Sequence, residues 1–123
     1  KESLNQLNAS LLLQLLRSEK ITELIAGFSA MAKVDFPTTR KIILIDGGES
    51  LVVLCKAVGM SQAVFVDIFN GTGKHGTRED ADMDALLGVY SRITQQAAQR
   101  ALRFFRTRKK VMENSDAMEK AEG

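Results

Sequence analysis

The sequence is poor in the residues that staple, ligate or kink a chain. Its 123 residues include one cysteine, one histidine, one tyrosine, one proline and no tryptophan. A lone thiol, Cys55, cannot form an internal disulfide, so a reducing compartment, the cytoplasm, is the expected home. One His and one Cys fall short of the three protein ligands that a catalytic zinc site wants. No apolar run approaches the ~20 residues of a membrane-spanning helix, so no membrane partner is expected. Residues 1–8, K-E-S-L-N-Q-L-N, carry mixed charge and lack a signal-peptide pattern. Position 1 is Lys rather than Met, as expected of a piece of a longer parent protein.

What is present describes an ordinary globular domain. The hydrophobic fraction is 45% and the charged fraction 26%. A chain of this size hides roughly two-thirds of the surface its unfolded form exposes, enough to fold without staples. The net charge of +2 does not argue for nucleic acid by itself, but the charges are segregated. Glu79, Asp80, Asp82 and Asp84 form an acidic cluster, and Arg100, Arg103, Arg106, Arg108, Lys109 and Lys110 a basic one.

Apolar periodicity is helical throughout. Leu51, Leu54, Cys55 and Val58 fall at i, i+3, i+4, i+7, and Gly47, Gly48 and Gly59 bracket them, which predicts a short, buried central helix between sharp turns. Before it, Asn8 is the expected cap of a helix over residues 9–17. Ser18 is the expected cap of a second helix with Ile21, Leu24, Ile25, Phe28 and Met31 inward, where the small Gly27 and Ala30 allow close approach. Asp35 and Pro37 start a third. Its run Ile42–Ile45 is β-branched, yet it is short and has no partner strand, so helix is preferred. After the central helix, Ser61 caps a stripe of Val64, Phe65, Ile68 and Phe69, and residues 70–77, N-G-T-G-K-H-G-T, read as a mobile loop. A helix over about 79–91 turns Met83, Leu86, Leu87 and Tyr90 inward, with its acidic first turn at the positive dipole end. Thr94 caps a last helix using Ala97, Ala98, Ala101, Leu102 and Phe105.

These segments predict an all-α fold of about seven short helices in antiparallel pairs, arranged as a right-turning stack or an orthogonal bundle. Residues 9–111 form one domain, 1–8 are a lead-in or the end of a preceding helix, and 112–123 a frayed or disordered tail.

Motifs that could carry chemistry lack their contexts. Gly71–Gly76 matches G-x-G-x-x-G, but a dinucleotide site needs that pattern between a strand and a helix. Asp80, Asp82 and Asp84 open like a calcium loop, which then wants Gly at Ala85 and Glu at Ser91. Cys55 lies on the buried face of its helix, whereas a nucleophile needs an exposed thiolate beside a base. No catalytic residue, cofactor or metal is therefore expected. The last helix is the candidate surface. Arg103, Arg106 and Lys110 share a stripe at i, i+3, i+7, Arg100 lies nearby, and Phe104 sits off the apolar face. Cations at a helix C-terminus also occur for purely local, dipole reasons.

Three stretches carry a family resemblance: L-L-L-Q-L-L-R-S-E-K-I at 11–21, G-G-E-S-L-V-V-L-C-K-A-V-G at 47–59 followed by Met60 and Ser61, and A-A-Q-R-A-L-R-F-F-R-T-R at 97–108. Over most of residues 9–108 the chain resembles the alphaproteobacterial domain-of-unknown-function family two-three-three-six. The resemblance implies a bacterial protein built of HEAT-like paired helices and supplies no catalytic residues. The functional expectation is a non-enzymatic interaction or scaffold module of a bacterial regulatory protein, with an unknown protein partner met through Arg100, Arg103, Phe104, Arg106 and Lys110. Nucleic acid or another acidic partner bound by the same helix is an alternative, and a small-ligand pocket between helices another. A homodimer is compatible with any of these.

Overall fold

Helical periodicity in the sequence becomes helix in space. The computed structural model describes residues 4–73, 75–76 and 82–106. Along them run α1 (Leu4–Arg17), α2 (Ile21–Ala32), α3 (Phe36–Leu44), α4 (Glu49–Ala57), α5 (Gln62–Gly73) and α6 (Met83–Arg92). A seventh helix, α7, occupies residues 95–106. No strand occurs among the described residues, and the fold is all-α.

The central helix is α4. Leu51, Val52, Leu54 and Cys55 are all fully buried, so α4 hides more than the one stripe its spacing predicts. Around it, consecutive helices pack on each other from α1 to α5, α6 packs on α4 and α5, and α1 reaches across to α5. That last contact depends on missing side chains. A Cβ on Gly71 would stand 2.6 Å from Leu16, and one on Gly27 2.7 Å from Leu12. The two glycines thus seat α1 between α2 and α5, the close approach expected at Gly27.

Three of the expected start signals, at Asp35, Ser61 and Thr94, hold. The Asp35 carboxylate accepts hydrogen bonds from the Thr38 amide at 3.1 Å and hydroxyl at 3.0 Å, with Pro37 in the first turn. Ile42, Ile43 and Leu44 are buried on α3, as helix rather than strand. Ser61 Oγ accepts from the Val64 amide and Thr94 Oγ1 from the Ala97 amide.

Four expectations are corrected. Asn8 does not cap a helix: α1 begins at Leu4, so residues 4–8 belong to it rather than to a lead-in. Asn8 is partly buried in the second turn of α1, beside the buried Ala9 and Leu12, and a good cap residue does not interrupt a helix that packs on both sides of it. Ser18 does not cap α2. It ends α1 instead: Glu19 adopts φ 57°, its amide and that of Lys20 bond back to the Leu16 and Leu15 carbonyls, and α2 starts with no side-chain cap. This is the backbone closure usually built on glycine. The glycine-rich segment is not a loop from residue 70, because α5 continues through Gly73. Thr72 is buried there, its hydroxyl donating to the Ile68 carbonyl at 2.7 Å. Gly71 faces Leu16, so packing outweighs the low helix propensity of glycine. The sixth helix starts at Met83 rather than 79, because Asp82 caps it, accepting from the Asp84 and Ala85 amides. Glu79 and Asp80, like the tail at 112–123, lie outside the described residues.

Candidate partner-binding face

The last helix is held by two kinds of contact on adjacent strips. Ala98 and Leu102 are buried in the core. Beside them Gln95, Gln99 and Arg106, at i, i+4 and i+11, reach the carbonyl ends of two other helices. Gln95 and Gln99 donate through Nε2 to the Ala57 carbonyl, at 3.3 and 3.2 Å. Arg106 Nε donates to the Ala32 and Lys33 carbonyls, at 3.2 and 3.1 Å, and Nη2 adds a second bond to Ala32. Ala57 ends α4 and Ala32 ends α2. The last carbonyls of a helix have no partner within it, and together they carry about half a negative charge. Amide donors and a guanidinium are the natural complements.

A second link of this type lies one helix away. Lys56 of α4 donates to the Tyr90 carbonyl at 2.9 Å, and its ammonium stands 4.8 Å from the Tyr90 ring centroid. The Tyr90 hydroxyl donates to the Met60 carbonyl, and its ring lies 5.2 Å from that of Phe65. Burial pushes the phenol's pKa up, so Tyr90 stays a donor.

The outer strip of α7 is left to solvent. Arg100 and Arg103 are exposed and meet no carboxylate among the described residues. Phe104 is 70% exposed, more than any other large apolar side chain described. At 100° per residue, Arg103, Arg100 and Phe104 span one face of about 100°. From Ala85 to Met112 the chain has no Asp or Glu but seven Lys and Arg residues, so no close sequence neighbour neutralises this face.

Of the five residues expected to meet a partner, Arg100, Arg103 and Phe104 therefore share the outer face. Arg106 turns inward and is engaged by α2. Lys110 lies outside the described residues. Between face and core runs a groove of about 540 Å³, lined by Lys33, Arg103 and Arg106, by the apolar Met31, Val58 and Leu102, and by no carboxylate among the described residues. Sequence reading missed Gln95, Gln99 and Lys56. Their polar spacing beside an apolar stripe is visible in the chain, but the carbonyls they reach come from helices 34 to 42 positions away.

The other sequence candidates take structural places. Gly71, Thr72 and Gly73 of the G-x-G-x-x-G stretch are helical, and the His75 amide donates to the Thr72 carbonyl. His75 Nε2 stands 3.8 Å from a Glu19 carboxylate oxygen. Asp82 is a helix cap, and among the described residues no group of His, Cys, Asp and Glu stands close enough to hold a metal. Cys55 is fully buried, and burial raises its thiol pKa far above the ordinary value. Its alkylation by iodoacetamide at pH 8 is expected to run about a hundredfold or more slower in the native domain than in denaturant, because reaction must await an opening of the core. Equal rates would contradict the packing of α4.

One family's pattern matches most of this chain. Residues 2–103 match the family described as "Uncharacterised protein conserved in bacteria (DUF2336)". The chain belongs to this family. No curated protein and no solved structure matches it. The DUF2336 match takes in α1 to α6 and enters α7, ending at Arg103. Gln95, Gln99, Arg100 and Arg103 fall within it, and Phe104 and Arg106 just beyond. No helix among the described residues of this DUF2336 chain is long and apolar enough to cross a membrane.

Proposed function

We propose that this DUF2336 domain is a non-enzymatic protein-interaction module of a cytoplasmic, alphaproteobacterial regulatory protein, and that an acidic partner protein docks on the outer face of α7. The observation that carries the reading is Phe104, 70% exposed on the same face as Arg100 and Arg103, cations that meet no carboxylate among the described residues. Aromatic and Arg side chains are the usual energetic anchors of protein interfaces, and an anchor costs least when its backbone is already rigid. Here the rigidity comes from Ala98 and Leu102 in the core and from the Gln95, Gln99 and Arg106 bonds. The packing of consecutive helices from α1 to α5 is in keeping with a HEAT-like pairing, a frame that commonly presents a binding surface.

The test is affinity capture from lysate of the source organism, with the wild type and an Arg100→Glu/Phe104→Ala variant side by side. Both residues are exposed and bond to nothing else described, so the variant's stability is expected to stay within about 0.5 kcal/mol of the wild type. A protein retained by the wild type and lost by the variant is the expected result. Unchanged recovery removes this face from the account. Retention of nucleic acid alone, with affinity falling steeply as salt rises, would transfer the same cations to a phosphate backbone.

A further inference from the structure

We infer that the groove beside α7 takes an acidic peptide segment of the partner, with carboxylates at Lys33 and Arg103 and one apolar side chain against Met31 and Val58. This rests on the proposed interaction function and names the chemistry of what is bound. Three observations lead to it. The first is charge. Among the described residues, Lys33, Arg103 and Arg106 line the groove and no carboxylate does. Against these three positive charges stand the C-terminal ends of α2 and α4, each worth roughly half a negative charge. Their sum offsets about one cation and leaves the site positive. The carbonyls there are also already engaged, by Arg106 on α2 and by Gln95 and Gln99 on α4, so they do not compete for Lys33 and Arg103.

The second observation is apolar surface. The half-buried Met31 and Val58, backed by Leu102, give the groove an apolar patch beside its charged side chains. A small inorganic anion would leave that patch uncovered, whereas an acidic segment with one Leu, Ile, Met or Phe covers both parts. The third is size. About 540 Å³ lies within the roughly 300–1,000 Å³ of ligand-binding clefts, room for a few side chains but not for a helix or a duplex. The groove shares Arg103 with the outer face of α7, so one acidic chain can follow from the groove onto Arg100 and Phe104.

The experiment is selection from a random linear peptide library displayed on phage against the full 123-residue chain. An enriched sequence is then synthesised, and its affinity is measured by fluorescence anisotropy. The expected peptides carry several Asp or Glu around one large apolar residue. Their affinity should fall about tenfold or more with Lys33→Glu and with Arg103→Glu, since each change removes a charge-assisted contact and adds a repulsion. Lys33→Arg should retain it. Lys33 adopts φ 59°, a conformation that Glu19 already takes at φ 57°, so the Glu variant is compatible with the backbone. Unchanged melting of each variant confirms that binding, not folding, is read. Affinity lost with Arg100→Glu/Phe104→Ala but kept with Lys33→Glu overturns the groove and leaves the outer face standing. Enrichment of neutral or basic peptides, or of none, overturns both.

Discussion

Phe65→Ala is expected to destabilise the domain by about 4 kcal/mol and to lower its Tm by about 15 °C. Phe65 is fully buried and is where α5 meets α6. Its ring centroid lies 5.2 Å from that of Tyr90 and 5.9 Å from that of Phe69. Truncation removes the burial of the ring, leaves a cavity that close-packed neighbours refill only in part, and deletes two aromatic contacts. The loss is a large share of the roughly 5–15 kcal/mol that holds a domain folded. It should also loosen Tyr90, whose hydroxyl bonds to the Met60 carbonyl at the turn after α4. Thermal and urea denaturation check the prediction. A loss under about 1 kcal/mol would mean that α5 and α6 do not share the core described here.

Arg106→Ala is expected to cost about 2 kcal/mol of stability and to weaken partner binding less than Arg100→Glu/Phe104→Ala does. The guanidinium is half-buried and donates to both Ala32 and Lys33. Hydrogen bonds from charged donors are worth about 1.5–3 kcal/mol, and solvent near the site places this one in the lower half of that range. Arg106→Lys should restore only part of the loss, because an ammonium keeps the charge but cannot span two carbonyls with a planar fork. The opposite pattern, unchanged stability with lost binding, would return Arg106 to the partner-binding set. Arg100 and Arg106 are thus separated by what they touch, although both belong to one basic run.

Most of the fold was legible because helical spacing and start signals are local. The burial of Leu51, Leu54 and Cys55, the helical state of Ile42 and Ile43, and the caps at Asp35, Ser61 and Thr94 all follow from residues within one or two turns. What misled were start and loop signals overruled by other contacts. Gly71 and Thr72 read as loop because glycine lowers helix propensity, yet Leu16, more than fifty residues earlier, needs that small residue to pack. Ser18 and Glu19 read as a helix start, but the backbone had first to end α1. In the candidate face, exposure of Phe104 followed from its position off the apolar stripe. The inward turn of Arg106 did not, because its acceptors lie 73 and 74 positions away.

The proposed partner meets α7 from outside. Backbone amide shift mapping by NMR on the labelled domain, titrated with the captured partner, tests it most directly. Perturbation is expected to concentrate at residues 99–106 and at Lys33 and Val58 across the groove, with α3 and the α1–α5 contact unmoved. Perturbation centred on α3 or α5, with residues 99–106 unchanged, would contradict it.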